Sequence, residues 1–449
     1  MPDPSAPATN VVELRRALGT PSLVLLGLVY MVPLTVFTTY GIVTEITGGR
    51  LPVAYAVTLA AMLLTARSNG RMARAYPVAG SAYAYSRRTF GGAVGFVTGW
   101  TLMLDYIFLP MINYLVIGIY LHAAIPAVPV WVFTLSGIVL VTALNLFGIV
   151  AIARANYVIV GVQAIFLVVF AVCAFTALSG TGTVDFLGPL TGDGSEPGVL
   201  PLFAGAAILC LSFLGFDAVS TFAEEARESE RVVPRAIMQT TLIAGVLFIG
   251  VSYLSYLVLP GTVFDDADAA AFEVMNTAGG VFLAAFFTAA YVAGSLGSAL
   301  TSQAAVSRIL YAMGRDGVLP RSVFGRLSSR WKSPVGGIAV TSAVALLALF
   351  LELESVSSLI SFGALTAFSL VNLAVIKHYF FERRQRGAGG AFSNLVLPGA
   401  GLLVTVWLWT SLSSLALVVG ITWCVLGIVW VAVITRGFRR PTPSLEAME

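Results

Sequence analysis

Apolar runs long enough to cross a lipid bilayer recur along almost the whole of this chain. A spanning helix needs ~20 predominantly apolar residues. Twelve such runs can be placed, at about 21–44, 52–70, 92–121, 129–148, 155–178, 199–223, 237–259, 279–304, 335–351, 356–380, 394–411 and 413–435. Hydrophobic residues are 58% of the 449 and charged residues only 10%, where a water-soluble domain would be roughly a quarter charged. The chain therefore reads as an all-α integral membrane protein with little left over for a separate soluble domain, which excludes most soluble enzymes. No H-E-x-x-H, G-x-S-x-G or P-loop pattern stands in the spans to support an intramembrane enzyme either.

Cys173, Cys210 and Cys424 lie far apart in apolar stretches without C-x-x-C spacing, so they read as small core hydrophobes. His122 and His378 sit at segment ends with no recognisable sequence partner. No metal ligand set and no cofactor motif is expected. The N-terminal stretch ends in Arg15-Arg16 before an apolar run that is too long and too polar-punctuated for a cleaved signal peptide.

Cytoplasmic loops of membrane proteins retain Lys and Arg, and this tests the span count independently. With both termini inside, all of the 25 Lys and Arg except Arg50 fall on cytoplasmic segments, including Arg67, Arg71, Arg74, Arg87 and Arg88. A wrong number of helices would scramble that alternation. Acids favour the outer side, among them Glu45, Asp185, Asp193, Asp265 and Asp266, where a negative vestibule would concentrate cations. The inner basic excess fits topology and anionic membrane lipid and requires no nucleic acid. The reading is a multi-pass protein of the cell membrane with cytoplasmic tails at 1–20 and 436–449.

Two carboxylates remain inside predicted spans, Asp105 in span three and Asp217 in span six. A charge at this depth costs several kcal/mol and normally faces a cavity, a partner or a translocated ion. The alternative is a buried acid satisfied by Ser, Tyr or backbone donors. No Lys or Arg lies in the core of any span, so a cationic substrate or a proton could supply the missing positive charge. Span one carries Gly27, Tyr30, Met31 and Pro33, and span six carries Gly215, Phe216 and Asp217. Proline removes a backbone donor and glycine weakens the helix, so both spans are expected to unwind mid-membrane. Spans one and six occupy equivalent places in two five-helix units. An odd repeat inserts upside down relative to its partner, the arrangement that builds alternating access around a midplane site. Gly91, Gly95 and Gly99 form a small-residue stripe expected to allow close helix packing.

These residues resemble the amino acid–polyamine–organocation superfamily of secondary transporters, and within it the bacterial putrescine importers. The resemblance runs from about Leu18 to Trp430. Its most specific segments are 27–37, Pro77 to Tyr85, Leu104 to Asn113, Ser212 to Ala218 with Glu224-Glu225 and Val233 to Ile237, and Ser307 to Pro320. The resemblance implies a LeuT-type fold: twelve transmembrane helices, with repeats at 21–178 and 199–380 and peripheral helices over 394–435. Substrate would bind between broken spans one and six, bounded by Tyr30, Met31, Pro33, Asp105, Tyr106, Gly215, Phe216 and Asp217. Tyr106 matches an aromatic associated with substrate recognition, and Asp217 an acidic position associated with substrate or proton handling. Glu224 and Glu225 are the expected cytoplasmic gate. Pro77 to Tyr85 and Arg308 to Pro320 look like gate and scaffold elements rather than substrate contacts.

A diamine needs an anionic or π-rich group at each end and an apolar middle, which Asp105 and Asp217 with the intervening aromatics could provide. A proton is the expected coupling ion, with Asp217 the titrating group. An amino acid permease of the same fold stays open, since an amino acid carboxylate could use the ends of the broken helices. A channel or sensor is the distant alternative, lacking filter repeats and a soluble output domain in this sequence. The oligomeric state is not readable.

Overall fold

The computed structural model describes residues 18–77, 81–146, 152–180, 184–194, 198–223, 226–315, 319–328, 333–437 and 439. Among the described residues ten helices are long and apolar enough to span a membrane. They are α1 (Thr20–Phe37), α2 (Leu51–Ala75), α3 (Gly92–Ala124), α5 (Gly161–Ser179, within a helix that begins at Ile152), α6 (Leu200–Ser220), α7 (Ser229–Val258), α8 (Ala267–Tyr311), α10 (Leu353–Glu382), α11 (Ala388–Thr410) and α12 (Ser414–Ile434). Two shorter apolar helices, α4 (Val130–Leu146) and α9 (Val335–Leu349), fill the remaining places, which is consistent with twelve spans. Several helices outrun their apolar runs. The α2 helix continues to Ala75 through Arg67, Arg71 and Arg74, and α7 begins at Ser229 although its apolar run starts near 237. Hydropathy marks the hydrocarbon-facing part of a helix, whereas the backbone hydrogen-bond ladder continues into the interface.

Arg67, Arg71, Arg74 and Arg383 gather where α2 and α10 end and α7 begins, here the basic end. Asp268 gathers with Asp266, Glu45, Glu352 and Glu354, and Asp185 with Asp193 beside Tyr256, here the acidic end. A short helix, Ser81–Phe90, lies between α2 and α3 at the basic end. Helix neighbours follow an exchange of each element with the one five places later. The α2 helix packs on α7 and α3 on α8; α3 with α10 is matched by α8 with α5, and α1 with α7 by α6 with α2. Of the spans, α3 is the most enclosed and α12 the least. Trp100 of α3 and Trp423 of α12 stack 4.9 Å apart, and each indole N–H donates to the other's backbone carbonyl. Leu403 and Val418, on α11 and α12, face outward at 72% and 65% exposure, a surface suited to lipid and not to water.

Polar glue sits between the spans. Asn145 donates to Gln303 Oε1 at 2.8 Å, and Gln303 donates to Ser342 Oγ at 2.7 Å, joining α4, α8 and α9. A Cβ on Gly95 would come within 2.5 Å of Arg87 Cβ, so this position of the glycine stripe seats the Ser81–Phe90 helix against α3. His378, unpartnered in sequence terms, gains partners from packing: its Nδ1 lies 3.1 Å from the Tyr76 hydroxyl and 3.3 Å from Glu382 Oε2.

Candidate functional site

Both expected breaks are present. In α1 the regular helix Thr20–Met31 stops at Val32, whose φ of 52° is one that a β-branched residue rarely adopts, and a tighter turn runs Pro33–Phe37 before a third helical piece, Tyr40–Ile46. Pro33 supplies no N–H to the ladder. At the break the Thr35 hydroxyl lies 2.8 Å from the Met31 carbonyl and 2.6 Å from that of Val32, which also accepts from the Thr35 backbone N–H at 2.8 Å. In α6 the chain turns extended at Leu214 (ψ 127°) and passes through Gly215 at φ 120°, then resumes at Ala218. Only glycine enters that region without steric cost.

The two breaks touch. A Cβ on Gly215 would fall 2.6 Å from Tyr30 Cδ1 and 3.2 Å from the Met31 backbone nitrogen. Asp105, on α3, is 8% exposed and its Oδ1 has no hydrogen-bond partner among the described residues. Asp217 begins the second half of α6; its Oδ2 accepts from Ser81 Oγ at 3.3 Å, with further donation from the Gly215 and Ala218 backbone. Asp105, Asp217, Tyr30 and Tyr106 are mutual electrostatic neighbours. Among the described residues no Lys or Arg pairs with either carboxylate.

On the other side of Tyr30, toward the acidic end, lies a narrow cavity of about 60 Å³. Tyr30 and Met31 border it together with polar groups from three helices, Thr35 and Thr38 of α1, Asn113 of α3, and Tyr291, Ser295 and Ser298 of α8. Asn113 donates to Ser298 Oγ at 3.1 Å. The Thr38 hydroxyl is hydrogen-bonded to that of Tyr291, and the Tyr120 hydroxyl donates to the Phe37 carbonyl at 2.7 Å. Tyr30 thus stands between an aromatic, hydroxyl-lined chamber and a pair of buried carboxylates.

The sequence grouped eight residues as one substrate surface. Tyr30, Met31 and Gly215 meet at the crossing, with Asp105, Tyr106 and Asp217 as electrostatic neighbours of Tyr30. Pro33 shapes the α1 break. Phe216 is fully buried, and its ring lies against that of Phe368 of α10, with ring centroids 5.0 Å apart. Glu224 and Glu225 lie outside the described residues. Sequence reasoning set the Pro77 to Tyr85 loop apart from the site, yet Ser81, 5% exposed and at φ 44°, reaches Asp217. It also assigned no site role to Thr38, Tyr291 or Asn113, although Asn113 closes one of the segments that carry the resemblance.

Broken helices facing each other around buried carboxylates define a carrier of the LeuT-type architecture. The chain belongs to the amino acid permease family, whose model matches residues 22–435, within the amino acid–polyamine–organocation superfamily. It is a multi-pass membrane protein. The low-affinity putrescine importer PlaP of Escherichia coli (strain K12) is 40% identical over 98% of both chains. The branched-chain amino acid permease BcaP of Bacillus subtilis (strain 168) is 28% identical, covering 93% of this chain and 92% of its own. The crystal structure of MhsT in complex with L-phenylalanine shares the fold, with a TM-score of 0.61 at 14% identity, over 88% of this chain and 99% of that one.

Proposed function

We propose that this protein imports a small organic cation, with a diamine such as putrescine the best fit, by proton- or potential-driven alternating access. The observation that carries this reading is the pair Asp105 and Asp217, set with Tyr30 and Tyr106 at the crossing of two broken helices and lacking a protein cation among the described residues. Buried charges are normally paired, and a doubly charged ligand with an apolar middle would pair both while its methylenes lie against the tyrosine rings. The 40% identity to a putrescine importer over the whole chain supports the same substrate. Asp217, already held by Ser81 and backbone donors, is the group we assign to proton coupling, since its acceptor network can persist whether substrate or proton neutralises it.

The repeats are assigned to 21–178 and 199–380, supported by the symmetric packing of α3 on α8 and α2 on α7. Both termini are assigned to the cytoplasmic side on the strength of the basic end of the bundle. A second reading, an amino acid permease, draws support from the resemblance to BcaP and from the hydroxyl-lined chamber beside the break.

Uptake of labelled putrescine into proteoliposomes, with and without an inward proton gradient, tests the proposal. Accumulation that is gradient-dependent and blocked by cadaverine or spermidine, but not by neutral amino acids, is the expected result. Amino acid transport without putrescine uptake would overturn the diamine reading.

A further inference from the structure

Away from the crossing, the basic end holds a larger cavity of about 660 Å³. Its walls are the last turns of α2, which contribute Arg67, Arg71 and Arg74, the first turns of α7 with Glu230, and the end of α10 with Tyr379 and Arg383. Residues 67, 71 and 74 follow helical i, i+4, i+7 spacing, so three like charges share one face, an arrangement that is unfavourable unless an anion is near.

The described residues do not supply enough negative charge to balance them. Glu230 is the one carboxylate among the lining residues, against four guanidinium groups. Glu382, next in the chain to Arg383, is already 3.9 Å from Lys377 Nζ and 3.3 Å from His378 Nδ1. Among the described residues none of the four arginines makes an ion pair, and Arg74 donates instead to the Glu230 backbone carbonyl at 3.2 Å.

The guanidinium groups are also held in place. Arg71 lies over the Tyr379 ring at 4.1 Å, and the Tyr379 hydroxyl donates to the Arg71 carbonyl at 2.9 Å. Arg383 approaches the same ring at 5.6 Å. Arg67 and Arg71 both donate to Ser393 Oγ at 2.7 Å, which leaves Arg71 Nε buried without a partner. A stacked, orientationally fixed Arg with an unused N–H is prepared for the bidentate geometry of a phosphate group.

We propose that this cavity binds the phosphate group of an anionic ligand, one phosphate ester seated between α2, α7 and α10. A phospholipid headgroup and a soluble phosphate ester share that chemistry. The volume exceeds that of a bare phosphate, so the ester's glycerol-like substituent fits beside it.

The test uses the full chain purified in detergent. Native mass spectrometry with phosphatidylglycerol measures lipid retention, against phosphatidylcholine as a zwitterionic control, and a thermal-shift titration with glycerol 3-phosphate measures the soluble arm. One retained phosphatidylglycerol, weakened about tenfold or more by Arg71→Gln and by the exposed Arg383→Gln, is the expected result if the source is lipid. Stabilisation by glycerol 3-phosphate, lost in the same variants, supports the proposal with a soluble source. Arg71→Lys keeps the charge and is expected to recover part of the affinity. Binding of both probes unchanged in Arg71→Gln and Arg383→Gln, or no binding of either by the wild type, overturns the proposal.

Discussion

Tyr30 rests its ring against the α-carbon of Gly215, so tightly that a methyl group on residue 215 would sit 2.6 Å from Tyr30 Cδ1. The contact joins the two broken helices where the carboxylate side of the site meets the hydroxyl-lined chamber. Gly215→Ala would therefore displace Tyr30 and also strain the backbone at φ 120°. The strain alone is worth about 1–3 kcal/mol, and misplacing Tyr30 adds a loss of rate. Uptake is expected to fall by about 10-fold or more with the protein still inserted and monodisperse. Wild-type uptake by this variant would show that the crossing need not stay closed on Tyr30.

Asp217→Asn keeps the size but removes the negative charge and turns one acceptor oxygen into an N–H donor. Gradient-driven accumulation is expected to vanish, while substrate exchange, which needs no net proton movement, persists in part. Ser81→Ala removes one hydroxyl donor to the carboxylate, a long bond at 3.3 Å and so at the low end of the about 1.5–3 kcal/mol of a charged hydrogen bond, and its uptake should fall by about 10-fold. Equal loss in both variants would mean that Ser81 holds the α6 break itself and not merely the carboxylate. Parallel counterflow and gradient-driven assays separate these outcomes.

The course of the chain through the site was only partly readable in advance. Pro33 and Gly215 announce their breaks because their effect is a matter of local backbone chemistry, and Asp105 and Asp217 stand out as charges in apolar runs. Phe216 did not reveal its direction. The extended turn at Leu214 and Gly215 resets the helical phase, so no periodicity carried across it could place the ring against Phe368 or on the substrate side. Ser81 was equally hidden, because its approach to Asp217 depends on how the Ser81–Phe90 helix folds back on α3, a long-range contact with no counterpart in local pattern. The fold itself was more legible, since membrane insertion makes each span declare itself by length and apolarity.

Asp105 distinguishes the two substrate readings. Its Oδ1 is unpartnered among the described residues, and a charged hydrogen bond to a ligand ammonium is worth about 1.5–3 kcal/mol. Asp105→Asn should raise the KM for putrescine by about 10- to 100-fold, with a smaller effect on kcat. A monoamine competitor, which has one ammonium to place, should lose much less. If the variant transports putrescine with an unchanged KM, the second ammonium is held elsewhere, and Tyr106→Ala becomes the informative change: as a π-face for the cation its loss should weaken apparent affinity by about 3- to 30-fold.

The α1 break makes a stability prediction that does not depend on the substrate. Thr35 Oγ1 sits 2.8 Å from the Met31 carbonyl and 2.6 Å from that of Val32. The Val32 carbonyl also accepts from the Thr35 backbone N–H at 2.8 Å, so the Met31 carbonyl is the group that relies on the hydroxyl. In the interior of the bundle an unsatisfied carbonyl costs about 1–3 kcal/mol. Thr35→Val preserves the branched shape and removes the donor, so it should lower the Tm of the detergent-solubilised protein by several degrees. Thr35→Ser retains the hydroxyl and should restore most of the loss. An unaltered Tm in Thr35→Val would place the stabilisation of the break in backbone geometry alone, with Val32 holding its φ of 52° through packing.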